Sequence, residues 1–457
     1  MNLIILSVRI VIKYEKKKAK ILPSHIDLQW WGASKKTTID SNTFRGCEHI
    51  ESIVIPDSVI TIENGAFRCC NALKEVILGN SVETIDKKAF LGCINLQKIV
   101  IPNSVKKIRD RSFYWCENLK NIKLGEAVES IGKEAFAYCI NLEEIVIPDS
   151  VVTLGKRAFK NCTSLKRIVI SKSLQSIDKF PFLNCINLSE IIVSPDNNYF
   201  SSEDGVLFNK SQDILITFPA KLKTYTIPET VRSIERCAFI NCINLQTLII
   251  GNSVTAIPDF AFMGCSNLKK VIISNSVKTI AKTAFWDCDK LEQIIFGETL
   301  TSIGNNAFSS CKKLKNIDIP DSVINIGESA FEYCENLKSV VIGNSVIKIG
   351  KHAFASCENL EKVVIGNSVK NIGKCAFEYC KNLKNVVLGS SVTNISQHAF
   401  ASCENLEKVV IGNSVANIGK CVFYECDNLK KIVIPKGSKE KFKNMLCSRF
   451  AAKLFEE

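Results

Sequence analysis

Cysteine offers the most chemistry in this chain: 21 Cys stand against four His. Thiols at fixed spacing can bridge, ligate a metal or act as nucleophiles. Sixteen of the 21 obey one rule, each standing three residues after a Phe, from Phe44 and Cys47 to Phe423 and Cys426. A small secreted domain would use such a number for disulfides. A thiol that recurs in one slot among apolar neighbours instead behaves as a small buried hydrophobe, and that is the expectation here. The others are Cys69, Cys237, Cys375, Cys421 and Cys447. Cys237, Cys375 and Cys421 occupy a mostly polar slot and are expected to be the accessible thiols. Cys375 and Cys421 lie two units apart, which places their backbones about 9–10 Å apart. A disulfide needs Cα atoms within roughly 7 Å, so no bridge is expected. Of the histidines His25, His49, His352 and His398, the last two stand in copied segments and read as products of duplication. No Ser/His/Asp set, glycine-rich phosphate loop or Cys-x-x-Cys pair stands out. No catalytic, cofactor-binding or metal residue is assigned, no cofactor is expected, and an enzyme is not the expectation.

The elements that position these residues follow from the copying. "AFASCENLEKVVIGNSV" stands at residues 353–369 and again at 399–415, with "AFEYCKNLKNVVLGSSV" at 376–392 between them. The period is therefore 23. Phe recurs at this step from Phe44 to Phe182 and from Phe239 to Phe423. Internal repeats of 20–50 residues indicate a solenoid, in which each unit packs on its neighbours.

Within one unit, Leu337-x-x-Val340-x-Ile342 alternates with period two, which predicts a strand with Val340 and Ile342 inward. A turn at Gly343–Asn344 follows. Val346 and Ile349 then enter the core from a second extended piece, Gly350 permits a bend, and Ala353, Phe354 and Cys357 close the third side. Phe331, Cys334, Leu337, Phe354, Cys357 and Leu360 are expected to be core. No stretch of the unit carries a helical pattern. The expected fold is mostly β: a right-handed solenoid of about 16 rungs, roughly 75–80 Å long at ~4.8 Å per rung.

Three regions depart from the repeat. Between Phe182 and Phe239 the chain is expanded, over about residues 194–230. Val206–Asn209 and Ile214–Phe218 are expected to form a hairpin turning at Lys210–Asp213; it reads either as one enlarged rung or as a protruding binding element. Residues 436–457 place Phe442, Met445, Leu446, Phe450 and Leu454 at helical spacing, which predicts an amphipathic capping helix with Ser438 as N-cap. Residues 1–43 are read as an N-terminal cap holding a degenerate unit, to which Ile39 and Phe44 fit and Trp30 and Trp31 do not. The solenoid proper is assigned to 44–435.

The stretch "ENLKSVVIGNSVIKIGKHAF" resembles the BspA-like leucine-rich repeat, of the treponemal type that lacks an outer helix. "EDGVLFNKSQDILITFPAKLKTYTIP" is similar to an expanded unit of the same family, and the likeness spans about 44–435. The resemblance implies a leucine-rich-repeat solenoid from a family of mostly bacterial or protist proteins. These are often at the cell surface and implicated in adhesion to host or extracellular-matrix proteins. It brings no catalytic residue.

A function is best placed on the outward face of the strand. Ten residues after each Phe lies an outward slot that is β-branched and apolar except at Lys123 and Asp318; near the C-terminus it holds Val341, Val364, Val387, Val410 and Val433. Two residues earlier the slot is mixed, with Lys362, Lys408 and Lys431 among its members. Val and Ile favour strands in any case; the alternative is an apolar track with charged rims that binds protein. The net charge of +13 could attract nucleic acid, but Lys is interleaved with Glu and no aromatic platform recurs, so nucleic acid is the weaker reading. "MNLIILSVRIVIKYEKKKAK" lacks the order of a secretory signal, with Arg9 inside its apolar run and the basic block after it. No run of about 18 apolar residues predicts a membrane helix. By sequence the compartment reads as cytoplasmic, whereas the resemblance implies the cell surface. The expectation is a non-enzymatic scaffold that binds protein through the outward strand face, with an intracellular self-associating repeat protein as the alternative.

Overall fold

The structure, a computed structural model, describes residues 24–28 and 36–457. It divides into unit 1, residues 1–212 with 217–221, and unit 2, residues 213–216 with 222–457. Each is a column of parallel β turns. A three- or four-residue strand opens every turn, from His25–Asp27 to Glu190–Val193 in unit 1 and from Thr224–Thr226 to Lys431–Ile434 in unit 2. The turns number about 18 rather than about 16. Two lack the Phe-x-x-Cys by which turns are recognised in the sequence: those opened by Glu190–Val193 and by Lys431–Ile434. The reading of residues 1–23 as part of a cap, and the pair Trp30 and Trp31, fall outside the described residues.

A constant period gives a constant register. Lys362–Val364 pairs in parallel with Asn385–Val387, Val363 opposite Val386 and Val364 opposite Val387. The shorter second strands stack in the same way, Asn371–Ile372 on Asn394–Ile395. Because side chains alternate along a strand, Val363 is buried while Lys362 and Val364 face outward. Phe331, Cys334, Leu337, Phe354, Cys357 and Leu360 are all fully buried. The Phe rings form a stack in each unit, such as Phe67 on Phe90 at 5.1 Å and Phe331 on Phe354 at 5.2 Å between centroids. These separations lie within the range of favourable offset stacking.

The thiol column does more than fill space. Cys357 Sγ donates to the Phe331 carbonyl at 3.3 Å. The same carbonyl accepts the Cys334 N–H at 3.3 Å. The buried Phe331 oxygen thus has both lone pairs engaged, one by its own turn and one by the next. Burial pushes the Cys185 and Cys334 thiols up to about 12. None of the 21 thiols forms a disulfide among the described residues. Cys421 and Cys447 are exposed, Cys237 is half-buried, and Cys375, expected to be accessible, is buried.

The third side of each turn carries a conformation that composition hides. The residues two before and two after every repeat Phe have positive φ, and only Gly46, Gly65, Gly92 and Gly264 among them are Gly. The remainder include His352 (φ 54°), Ser356 (φ 57°) and Tyr379 (φ 61°). Left-handed backbone costs a non-glycine residue roughly 1–2 kcal/mol. It is held here by bonds to the following turn: His352 N–H to the Lys374 carbonyl at 2.9 Å, Ser356 N–H to the Glu378 carbonyl at 2.7 Å. Gly350 serves a different end from the expected bend. It has no positive φ, but a Cβ there would sit 2.3 Å from the Gly327 oxygen, so the turns approach too closely for a side chain.

One expectation is corrected. The C-terminal segment is not one helix. Lys439–Lys443 and Ser448–Ala451 are short helices separated by the extended Cys447, and the chain ends in a strand, Leu454–Glu456. That strand pairs in parallel with Lys431–Ile434 and so satisfies the open edge of the last turn. Ser438 stands at the N-cap position, but its hydroxyl donates to the Pro435 carbonyl rather than capping the helix. In the expansion, both expected strands are present, Val206–Asn209 and Ile214–Thr217, and a further strand precedes them. Phe200–Glu203 and Val206–Asn209 pair antiparallel around Asp204 and Gly205, both at positive φ, as a two-residue Asp-Gly turn requires. Ile214–Thr217 is a strand, and its Ile214 and Leu215 pair in parallel with Ser233 and Ile234 inside unit 2.

Candidate functional site

The outward strand face of unit 2 collects the residues expected to bind. Asn316–Ile319, Ser339–Ile342, Lys362–Val364, Asn385–Val387, Lys408–Val410 and Lys431–Ile434 lie in one parallel sheet, ended by Leu454–Glu456. Register places Val341, Val364, Val387, Val410 and Val433 side by side. Val341, Val364 and Val387 are 41%, 42% and 59% exposed, and Val410 is half-buried. Val433 leaves the exposed track: only 4% of it is accessible, beside the terminal strand. Phe455, opposite Val433 in that strand and 49% exposed, ends the track in its place. The sequence pattern missed Phe455, because helical spacing over 442–454 concealed a strand.

Beside this track runs a column in which Lys362, Asn385, Lys408 and Lys431 are adjacent. Further back, the same column of unit 2 holds Lys270, Gln293, Asn316 and Ser339, and no acid. Among the described residues Lys362 and Lys408 make no ion pair, whereas Lys431 lies over the Phe455 ring, 3.5 Å from its centroid. Acids return one residue earlier in the turn, where Lys430 meets Glu407 at 3.7 Å.

The corresponding column of unit 1 holds acids and bases that pair across turns. Arg167 reaches Glu144 at 3.1 Å and Glu190 at 3.2 Å. Next to it, Glu143 lies between Lys120 and Lys166 at 3.3 and 3.1 Å. Lys123 and Asp318, which interrupt the apolar slot, both line shallow hollows of their strand faces. Lys123 does so with Val146 and Val169, and Asp318 with Ile295 and Asn316.

The repeat Asn satisfy turn backbone and also link turns. Asn336 and Asn359 donate to the Lys312 and Glu335 carbonyls at 2.8 and 2.9 Å, and Asn382 donates to Asn359 Oδ1 at 3.1 Å. Among the described residues no helix is long and apolar enough to cross a membrane.

Parallel strands of fixed register, a stacked Phe column and an outward sheet without an outer helix define a leucine-rich-repeat solenoid. The sequence profile of the BspA type leucine rich repeat region matches residues 37–162, 129–225, 216–338 and 325–448, and the chain belongs to that family. It is similar to a leucine rich cell surface protein from Faecalibacterium prausnitzii A2-165. The identity is 31% over 72% of this chain and 82% of that one, with a TM-score of 0.56. A leucine-rich repeat protein from Eubacterium ventriosum shares the fold at 23% identity over 81% of this chain and 83% of that one, with a TM-score of 0.52. No curated protein matches the sequence.

Proposed function

We propose that this chain is a non-enzymatic protein-binding scaffold whose outward strand face in unit 2 is the binding surface. One observation carries the reading: the exposed valines at 341, 364 and 387 run beside a column that holds lysine and no acid. Apolar side chains exposed in a row favour burial against a partner. Lysines without intramolecular carboxylates nearby in their column attract carboxylates from outside. The partner this fits is a protein surface with apolar residues flanked by Asp or Glu, on a host or matrix protein or a second copy of this chain. Likeness to a leucine rich cell surface protein supports an adhesin-like role at the cell surface.

The test is binding of the purified chain to itself and to a panel of extracellular-matrix proteins at several salt concentrations. Lys362→Glu with Lys408→Glu is expected to lower affinity for each protein bound by the wild type and to flatten its salt dependence. Unchanged affinity and salt dependence would contradict the charge part of the reading. Binding to duplex DNA that vanishes with salt, without protein binding, would favour the nucleic-acid alternative.

A further inference from the structure

Two residues ahead of each core Phe stands a left-handed residue whose side chain neighbours its counterpart in the next turn. In unit 1 this column reads Arg111, Glu134, Arg157, and its members touch. Arg111 Nε donates to Glu134 Oε2 at 2.6 Å, and Arg157 approaches the same carboxylate at 3.9 Å. In unit 2 the column reads His352, Cys375, His398, Cys421. Glu378, one residue after Phe377, reaches into it: His352 Nδ1 lies 3.9 Å from Glu378 Oε2. The ligand atoms of His352, Cys375 and Glu378 all lie within 4.8 Å of one another. Cys375 is buried, and the other two are half-buried.

We propose that His352, Cys375 and Glu378 form a binding site for one divalent transition-metal ion of the zinc class. Imidazole nitrogen, thiolate sulfur and carboxylate oxygen are the donors that Zn²⁺ takes, at about 2.0–2.3 Å. Those bond lengths require donors roughly 3–4 Å apart, a closure from the present spacing that side-chain torsions supply. Two of the ligands come from a single tight turn, three residues apart, and the third from the turn before it. The backbone of both turns is fixed by the bonds from His352 N–H to Lys374 and from Cys375 N–H to Gln397, at 2.9 and 3.0 Å. Three protein ligands leave one position for water.

In the metal-free chain, burial and then the Glu378 carboxylate push the Cys375 thiol up to about 12. Binding therefore exchanges a proton for the ion: the S–H bond breaks, sulfur donates its pair to the metal, and one H⁺ passes to solvent. Lys351 and Lys374 lie near enough to act in both directions, since each favours the thiolate but repels the cation.

The duplication supplies an internal control. His398 and Cys421 repeat the pair 46 residues on, but Tyr424 stands where Glu378 stood. His398 packs edge-on against Tyr424 at 6.4 Å. The next residue, Glu425, is held by the Ser402 hydroxyl at 2.8 Å. Cys421 is exposed. Among the described residues the second pair has no third ligand within reach.

The test uses the full chain, reduced and stripped of metal, titrated with Co²⁺ and then Zn²⁺. One equivalent of Co²⁺ is expected to release a proton and give a thiolate-to-cobalt charge-transfer band in the near ultraviolet, which Zn²⁺ abolishes as it displaces Co²⁺. Cys375→Ser is expected to lose that band, and Glu378→Gln and His352→Gln the stoichiometric Zn²⁺ binding seen by calorimetry. Cys421→Ser and Glu425→Gln are expected to keep both. Circular dichroism reports on folding, and should Cys375→Ser fail to fold, Glu378→Gln and His352→Gln decide. A wild type without the band, a band that survives Cys375→Ser, or one lost in Cys421→Ser would overturn the proposal.

Discussion

The two units are built by one rule and present different strand faces. Inside, they are interchangeable: Phe136 in unit 1 and Phe354 in unit 2 are both fully buried in stacks with the next Phe 5.4 and 5.3 Å away. Outside, unit 1 neutralises itself, with Arg167 held between Glu144 and Glu190, while unit 2 sets Lys362 and Lys408 in a column without acids. Exposed ion pairs contribute about 0–1 kcal/mol. Stability therefore does not dictate which pattern a unit carries, and the outward columns are free to answer to a partner. The core columns are not free, because each member stacks on an identical neighbour.

This contrast can be broken or sharpened by experiment. The largest effect is expected where the units agree. Thiols such as Cys185 and Cys334, pushed from 9.0 up to about 12, hold their protons in the fold at a pH where the unfolded chain has lost them. The stability they support is whole below pH 9 and is lost as pH rises toward 12, at about 1.4 kcal/mol per pH unit for each such thiol. Urea midpoints measured from pH 8 to 11 should fall steeply, in both units. A flat profile would mean that the thiol columns are not sealed.

Phe354→Ala should cost about 3–5 kcal/mol through the cavity it leaves. Hydrogen exchange should quicken in the neighbouring turns of unit 2 and not in unit 1, because coupling passes between adjacent repeats. Equal loss along the whole chain would refute that locality.

A smaller gain is expected from Ser356→Gly. Ser356 holds a left-handed φ of 57°, and Gly46, Gly92 and Gly264 occupy the same slot elsewhere. Relief of that conformation, less the entropy Gly adds to the unfolded chain, should stabilise by about 0.5–1 kcal/mol. A lower melting temperature would contradict it.

How much of this was legible in the sequence follows from what repeats. The Phe, Cys and Leu slots were readable because stacking identical turns demands identical side chains. The left-handed positions were not, since Arg, His, Tyr and Ser fill them and the cross-turn bonds that hold them involve only backbone. Turns without Phe-x-x-Cys escaped for lack of their marker, which is why about 16 became about 18. At the C-terminus, Phe442, Phe450 and Leu454 are all buried, as a helix would have them, yet the last is in a strand. Apolar spacing over so short a segment does not distinguish the two. The outward direction of Val364 and Val387 was legible from period two. The burial of Val433 was not, because it depends on the strand that follows.

The most direct test of the account compares the two faces through matched variants. Val364→Glu with Val387→Glu alters unit 2, and Ile77→Glu with Val100→Glu alters the equivalent slot of unit 1; all four residues are exposed. Substitutions at such sites usually change stability by no more than about 0.5 kcal/mol each, with somewhat more here from lost β-propensity, so both variants should keep their circular dichroism and melt near the wild type. Affinity is then measured for each protein the wild type binds, and for self-association by sedimentation. The account predicts that the unit 2 variant loses at least tenfold, a shift of about 1.4 kcal/mol, while the unit 1 variant binds as the wild type does. Loss in the unit 1 variant alone, or unchanged binding in both, would contradict it.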